Sequence, residues 1–533
     1  MLLLLNIFWF IRTSKFVLFW LYLWQLKEYH IGRFLDHFRT HKGKKLIFDY
    51  FLLIKIILIG LFIIETGFYS VWFSILFFIY FIESLLLLRQ FAQNSIKKPV
   101  KTFKTVFLTL ASFAVLILFF LWSFSLDDKT APIYLLLFDV LTPLIISVIV
   151  LLFQPIFVAI RNNILKKATN KMKDFSNLTV IGITGSFGKT STKEFLKTIL
   201  SHKFNTLSTD KHQNSEMGIA NCILNNLNKE HRIFIVEMGS YKKGGIKLLC
   251  DMVKPKLGIV TGVNEQHLSL FGSMENLLSA EGGRELAKAL PENGILFLNG
   301  DNKYCLDLST KTDINKKIYS IKKDKVDSDI WTEDIVVSEN SISFLVADKN
   351  KHLVHFEIKA LGKHNVQNLL GAILVAHELG MSLEEIADTC QNITQEQAGI
   401  ILKNGKHGIK IIDSSYSANS DGVMADLEYL SIFPKKKVII MPCLIELGPK
   451  SKEVHEKIGK KIGRVCDLAI ITSRDKFLEI KKGAMEMGMK DRNIIFCENP
   501  DDIYSIVTLF CSAGDAVLLE GRIPSKIITL LAS

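Results

Sequence analysis

Apolar positions are distributed unevenly along this chain. The first 160 residues hold five long apolar runs, near 2–26, 47–67, 69–88, 105–126 and 132–160, each close to the ~20 residues an α-helix needs to cross a hydrocarbon core. Beyond about residue 175 the pattern changes to short β-branched runs separated by helical periodicity, the signature of a parallel sheet covered by helices. The predicted architecture is an N-terminal α-helical transmembrane bundle followed by two α/β domains. The expected divisions are a membrane domain at 1–160, a basic juxtamembrane linker at 161–174, a central domain at 175–395 and a smaller C-terminal domain at 396–533.

The first run lacks a small-residue cleavage site after Trp24 and precedes four more, so it reads as a span rather than a signal peptide. Arg12 and Lys15 interrupt it; a tilted or interfacial helix is the alternative, leaving four spans. Six Lys/Arg lie in 27–45, five in 89–104 and one beside Asp127 and Asp128. The positive-inside rule puts both basic loops in the cytoplasm. The fifth span then leads inward into Arg161, Lys166, Lys167, Lys171 and Lys173, giving a multi-pass protein of the cytoplasmic (inner) membrane with its remaining domains in the cytoplasm. Glu65, Glu83 and Asp139 fall in or near spans, where acidic side chains face a bundle interior, mark a polar site or pair with a base such as Lys55 or Lys15.

Net charge is +12, but much of that surplus sits in juxtamembrane loops, where anionic membrane lipids are a simpler partner than nucleic acid. No nucleic-acid partner is expected. The eight cysteines all follow residue 221 without a Cys-x-x-Cys pair, which fits reduced thiols and no zinc ribbon.

The richest stretch is Val180–Thr198. A buried-strand pattern meets Thr184-Gly185-Ser186-Phe187-Gly188-Lys189-Thr190-Ser191 and passes into a helix. Such a turn wraps backbone N–H groups around phosphate oxygens at a helix N-terminus. Lys189 would neutralise phosphate charge and Thr190 would sit on Mg²⁺. The glycine that the longer P-loop pattern needs five places before Gly188 is Ile183. The run Arg232–Glu237 reads as a strand whose final carboxylate points into the ligand crevice, and Gly258–Val260 as another that leads to Asn264 and His267.

The short Gly-x-x-Gly-Lys-Thr loop, followed by Asn264, His267-Leu268, Phe271-Gly272-Ser273 and Glu275-Asn276, resembles the Mur ligase family. So do Asn299-Gly300-Asp301 and Gly362-Lys363-His364-Asn365-Val366-Gln367-Asn368. The segments Asp413-Ser414-Ser415-Tyr416-Ser417-Ala418-Asn419 and Leu444-Ile445-Glu446-Leu447-Gly448, with Ser451 and His455 beyond, are similar to signatures of its D-alanyl-D-alanine-adding members.

The resemblance covers about 175–533 and implies a P-loop central domain and a Rossmann-like C-terminal domain. ATP and Mg²⁺ are the implied cofactors, with Thr190, Glu237 and His267 as metal ligands and Lys189 on the phosphates. Asn299, Asp301, Asn365, Asn368 and Asp413 are implied near the nucleotide. Where the family carries a CO₂-carbamylated lysine this chain has Glu281, read as a carboxylate that serves the metal without modification; loss of the second metal site is the alternative. Ser414, Ser417 and Ser420 replace Asp, Asn and Pro, and Ile400 replaces an arginine. The implied activity is an ATP-dependent, acyl-phosphate amide ligase. It would join an amino acid or dipeptide to a carboxylate-bearing peptide precursor, a lipid-linked one included, at the membrane. A folylpolyglutamate or poly-amino-acid type ligase and a non-catalytic membrane nucleotide sensor are the alternatives.

Overall fold

The computed structural model describes residues 1–532 apart from 48, 65, 66, 93–95, 211, 212, 323–325, 417 and 418. Glu65, Ser417 and Ala418 of the expectations above lie outside the described residues. Two compact units, Met1–Asn162 and Asn163–Ser533, divide the chain.

The first unit is helical: α1 (Leu2–Leu26), α2 (Ile31–His37), α3 (His41–Ile47), α4 (Tyr50–Ile63), α5 (Tyr69–Ala92), α6 (Phe103–Ser123) and, up to Asn162, α7 (Ala131–Met172). Five stretches are long and apolar enough to cross a membrane, Leu2–Leu26, Gly43–Ile63, Tyr69–Phe91, Phe103–Ser123 and Ala131–Met172. α1 packs as part of the bundle. Its Leu5, Trp9, Val17, Leu21 and Trp24 are buried in the bundle core, and Trp9 Nε1 donates to the Leu135 carbonyl at 2.8 Å.

Arg12, the residue that interrupts the apolar run, is tied down by carboxylates. It pairs with Glu83 Oε1 at 3.2 Å and with Asp139. Lys55 Nζ meets Glu83 Oε2 at 2.5 Å and Asp139 Oδ2 at 2.8 Å, and Tyr80 donates to Asp139 at 3.1 Å. Each cation thus touches both anions, which offsets the cost of removing four charges from water. The 161–174 stretch read as a linker is helical as far as Met172, since its Ala, Lys, Arg and Leu residues favour helix and no proline or glycine interrupts them.

The second unit holds two sheets. In the first, β1 (Thr179–Thr184), β2 (Thr206–Ser208), β3 (Ile233–Glu237), β4 (Leu257–Val260), β5 (Ile295–Asn299), β6 (Asn315–Ser320), β7 (Ile330–Val337), β8 (Ile342–Asp348) and β9 (Leu353–Ile358) take the order β2-β3-β1-β4-β5-β6-β7-β8-β9. The pairs from β2 to β7 are parallel, whereas β7–β8 and β8–β9 are antiparallel. The expected parallel sheet is thus extended at one edge by an antiparallel meander. Tight turns at 338–341 and 348–352, closed by the Ser338 N to Ser341 O and Asp348 N to His352 O bonds, fold the chain back on itself.

Successive side chains of β1 go to opposite faces: Ile181 and Ile183 join Phe195 and the 364–378 helix, while Val180 packs with Phe234 and Leu296. Both faces are covered, which explains the unbroken apolar run.

The second sheet is formed by β10 (Ile401–Asn404), β11 (Lys410–Ser414), β12 (Lys437–Met441), β13 (Leu468–Ile471), β14 (Ile494–Phe496) and β15 (Ala516–Glu520), in the order β10-β11-β15-β12-β13-β14. All its pairs are parallel except β10–β11.

Candidate active site

β1 lies between β3 and β4, with Ile183 beside Glu237 and Thr184 beside Val260. The loop leaving β1 is therefore flanked by the ends of two neighbouring strands, the crevice where open α/β sheets take ligands. Gly185 (φ 142°) and Gly188 (φ 76°) give it its shape. A Cβ at Gly185 would lie 2.2 Å from Thr261 Oγ1, and one at Gly188 2.2 Å from Asn368 Oδ1. Ser186 N donates to the Gly262 carbonyl at 2.7 Å, and the Phe187 ring packs on Gly262. Helix α8 (Lys189–Leu200) starts directly after Gly188, so its free N–H groups and positive end face the loop. Lys189 Nζ folds back onto the Gly185 carbonyl at 2.5 Å.

Thr190 and Glu237 meet as the motif predicts: Thr190 Oγ1 lies 3.1 Å from both Glu237 oxygens. Glu237 is buried and also receives Asn214 Nδ2 at 3.1 Å, with Lys193 Nζ at 3.5 Å. On the other flank, Ser186 Oγ donates to Glu281 Oε2 at 2.8 Å and His267 Nδ1 lies 3.1 Å from Glu281 Oε1. Lys189, Thr190, Glu237, Glu281 and His267 are thus all reached through one loop. Ser191 Oγ donates to the Ala398 carbonyl at 3.3 Å, and Thr184 is buried at the strand end.

The asparagines are supports. Asn368 Oδ1 presses on Gly188 and its Nδ2 donates to Asn365 Oδ1 at 3.2 Å, while Asn365 Nδ2 reaches the Leu361 carbonyl at 2.7 Å. Asn299 Nδ2 holds the Thr261 carbonyl at 2.7 Å, and Asp301 accepts from Ser320, Ile321 N and Gln367. His455 is buried, accepting from Leu444 N at 2.9 Å.

The C-terminal domain closes against this crevice. Asn264 Nδ2 donates to Asn419 Oδ1 at 3.2 Å and Asp421 Oδ2 at 2.9 Å. Tyr416 stands near enough to Glu237 that burial, and then that carboxylate, push its phenol up, with Arg522 opposing. Asp413 bonds Lys403 Nζ at 2.7 Å and Ser415 Oγ at 2.6 Å. Burial alone raises a carboxyl, but these bonds outweigh it and hold Asp413 below the ordinary range. Ile400, where an arginine was expected, is buried in the apolar core of this domain. Ser414 donates to Asp426 at 2.6 Å. Beside it, burial and then Asp426 keep Glu520 far above the carboxylate range.

Sequence reasoning missed Lys193, Asn214 and the Asp426–Glu520 pair, because their significance depends on strand neighbours distant in sequence. Lys193, four positions after Lys189 on α8, was within reach of helical periodicity.

The sequence profile of the Mur ligase middle domain matches residues 183–376, and that of the Mur ligase glutamate ligase domain matches 400–523. The chain belongs to the Mur ligase family. Similar curated Mur ligases carry the name UDP-N-acetylmuramoyl-tripeptide--D-alanyl-D-alanine ligase. That of Buchnera aphidicola is 30% identical over 308 residues, covering 56% of this chain and 64% of the relative. That of Escherichia coli is 28% identical over 281 residues, covering 53% and 61%. This Mur ligase chain thus spans about six-tenths of those relatives' length. Among solved structures, MurF from Acinetobacter baumannii has a TM-score of 0.62 at 21% identity, covering 69% of this chain and 79% of that one. MurF from Thermotoga maritima, in complex with ADP, has 0.60 at 24%, covering 69% and 83%. The Mur ligase fold is therefore shared over the second unit.

Proposed function

We propose that this chain is an ATP-dependent amide ligase of the MurF type, joining a carboxylate-bearing peptide precursor to an amino acid or a dipeptide such as D-Ala-D-Ala. The carrying observation is the junction of Lys189, Thr190–Glu237 and Ser186–Glu281–His267 around one phosphate-shaped loop. These residues fit a magnesium nucleotide. The glycine cradle has no room for a Cβ, and Thr190 and Glu237 present oxygens on one side of it. Among the described residues no three His, Cys, Asp or Glu side chains form a metal site by themselves. Magnesium suits that arrangement, since it takes ligands from phosphates and water as well.

Magnesium supplies charge neutralisation on the phosphates. Lys189 and the loop amides hold the triphosphate in line with the acid. A carboxylate oxygen bonds to the γ-phosphorus as its bond to ADP breaks; the amine nitrogen then bonds to the acyl carbon as phosphate leaves and the ammonium loses its proton. Positioning and electrostatics carry this chemistry, with no covalent protein nucleophile. The buried Ile400 removes one cation from the C-terminal side; among the described residues Lys189 and Lys193 are cations at the loop and Glu237.

Five membrane-length helices precede the matched domains. They support an acid substrate presented at the cytoplasmic membrane face, as a lipid-linked precursor. The test is ADP release by purified protein, with lipid-linked and UDP-linked peptides each paired with D-Ala-D-Ala or other amines. Faster release with the lipid-linked acid is the expected result. A preference for the UDP-linked acid moves the substrate into solution, and nucleotide binding with no stimulated release by any pair overturns the ligase reading.

A further inference from the structure

The ring of His267 lies between two carboxylates. Its Nδ1 is at hydrogen-bond distance from Glu281, 3.1 Å, whereas its Nε2 is 3.8 Å from Glu446 Oε2, beyond hydrogen-bond range. Glu281 is anchored at its other oxygen by Ser186. An anchored carboxylate accepts from Nδ1–H and so selects the tautomer whose Nε2 lone pair is available, as outer carboxylates do for metal-bound histidines. Nε2 faces the C-terminal domain.

The Glu446 loop is pinned to the His267 loop on both sides. Gln266 Nε2 donates to the Ile445 carbonyl at 3.1 Å, and Ser269 N to the Glu446 carbonyl at 3.1 Å. Both facing residues have left-handed backbones, His267 at φ 66° and Glu446 at φ 68°, a conformation costing about 1–3 kcal/mol for residues other than glycine. The 3.8 Å separation is too long for a hydrogen bond, yet it is the spacing of two ligands on one small divalent cation, roughly 3–4 Å for bonds of about 2.1 Å.

We propose that Glu446 binds a divalent cation jointly with His267 Nε2, and that Glu281 is a positioning residue that orients His267 instead of a ligand. The cation then bridges the central and C-terminal domains, so closing the domains and binding the cation favour each other to the same extent. The inference rests on the ATP-site reading above and adds to it a carboxylate contributed by the C-terminal domain.

The test uses the full chain in detergent micelles with a non-hydrolysable ATP analogue and Mn²⁺ as the probe, free Mn²⁺ being counted by electron paramagnetic resonance. Wild type is expected to bind two Mn²⁺ per chain. Glu446→Gln and His267→Gln are each expected to keep the tighter one and weaken the other at least about tenfold. Glu446→Asp recovers part of that loss. Glu281→Gln keeps the ¹⁴N coupling of a directly bound imidazole in the Mn²⁺ spin-echo signal, which His267→Gln abolishes. Retention of the tight site in each variant shows that it has folded. Unchanged Mn²⁺ binding in Glu446→Gln, or a single Mn²⁺ in wild type with nucleotide bound, overturns this inference alone. Failure of the analogue to bind overturns the ATP-site reading with it.

Discussion

Two clusters of buried charge sit in this chain, one in each unit, and they are built on opposite plans. In the helical unit, Arg12, Lys55, Glu83 and Asp139 form two cations and two anions in mutual contact. In the second unit, Glu281 and Glu446 face each other across one imidazole, while Glu237 shares its oxygens among Thr190, Asn214 and Lys193. The first cluster is neutral as it stands and holds helices together. The second gathers carboxylate oxygens beside the glycine loop, the arrangement proposed above to take cations from outside. Buried charge by itself does not mark a site; the balance of its partners does.

The largest effect tests the second cluster. Lys189→Ala removes the ammonium at the loop, and substrate-dependent ADP release is expected to fall by about 10³-fold or more; retention of a tenth of the wild-type rate would sink the phosphate role.

The first cluster should fail differently. Lys55→Met leaves two carboxylates to share Arg12 and is expected to cost about 3–5 kcal/mol of stability, read as denaturant unfolding in detergent. Adding Glu83→Met should recover much of that loss, because the leftover charge is removed too. Equal loss in the single and double variants would show that the quartet is not one unit.

Glu281→Lys probes the border between the two plans. Without bicarbonate the rate is expected to drop at least about tenfold, as befits a lost outer carboxylate. With bicarbonate a lysine carbamate restores an oxygen acceptor for His267 and Ser186, and activity should partly return. Insensitivity to bicarbonate would argue that the position does not tolerate the longer side chain.

The smallest effect concerns Asp413. Its carboxyl is held below the unfolded value, so the stability it contributes is present above the unfolded pKa and lost as pH falls through the lower folded one. Asp413→Asn should flatten that acid limb and, near neutrality, cost about 0.5 kcal/mol, the scale of a partly exposed pair with Lys403. A thermal-unfolding series from pH 7 to 3 reads both.

Much of this was legible from local patterns. The five apolar runs, the strand before Gly185, the carboxylate ending β3 and the strand Ala516–Glu520 each follow from the composition of a few adjacent residues. The β7–β9 meander was not read as such, because its strands differ from parallel ones in their turns more than in their apolar content. Asn365 and Asn368 were legible as important, but their place behind the loop, bracing Gly188, was not.

The sequence alone thus determined which local chemistry is available: membrane-length helices, a phosphate loop with Lys189 and Thr190, and acids at strand ends. Tertiary structure decided which charges meet. Lys55 was one possible partner for Glu83 until the helices packed, and Glu446 was one residue of a motif until its domain set it opposite His267. The physical reason is range. Helix and strand patterns are written within a few residues, whereas electrostatic and cation-binding geometry depends on ångström distances between segments that lie far apart along the chain.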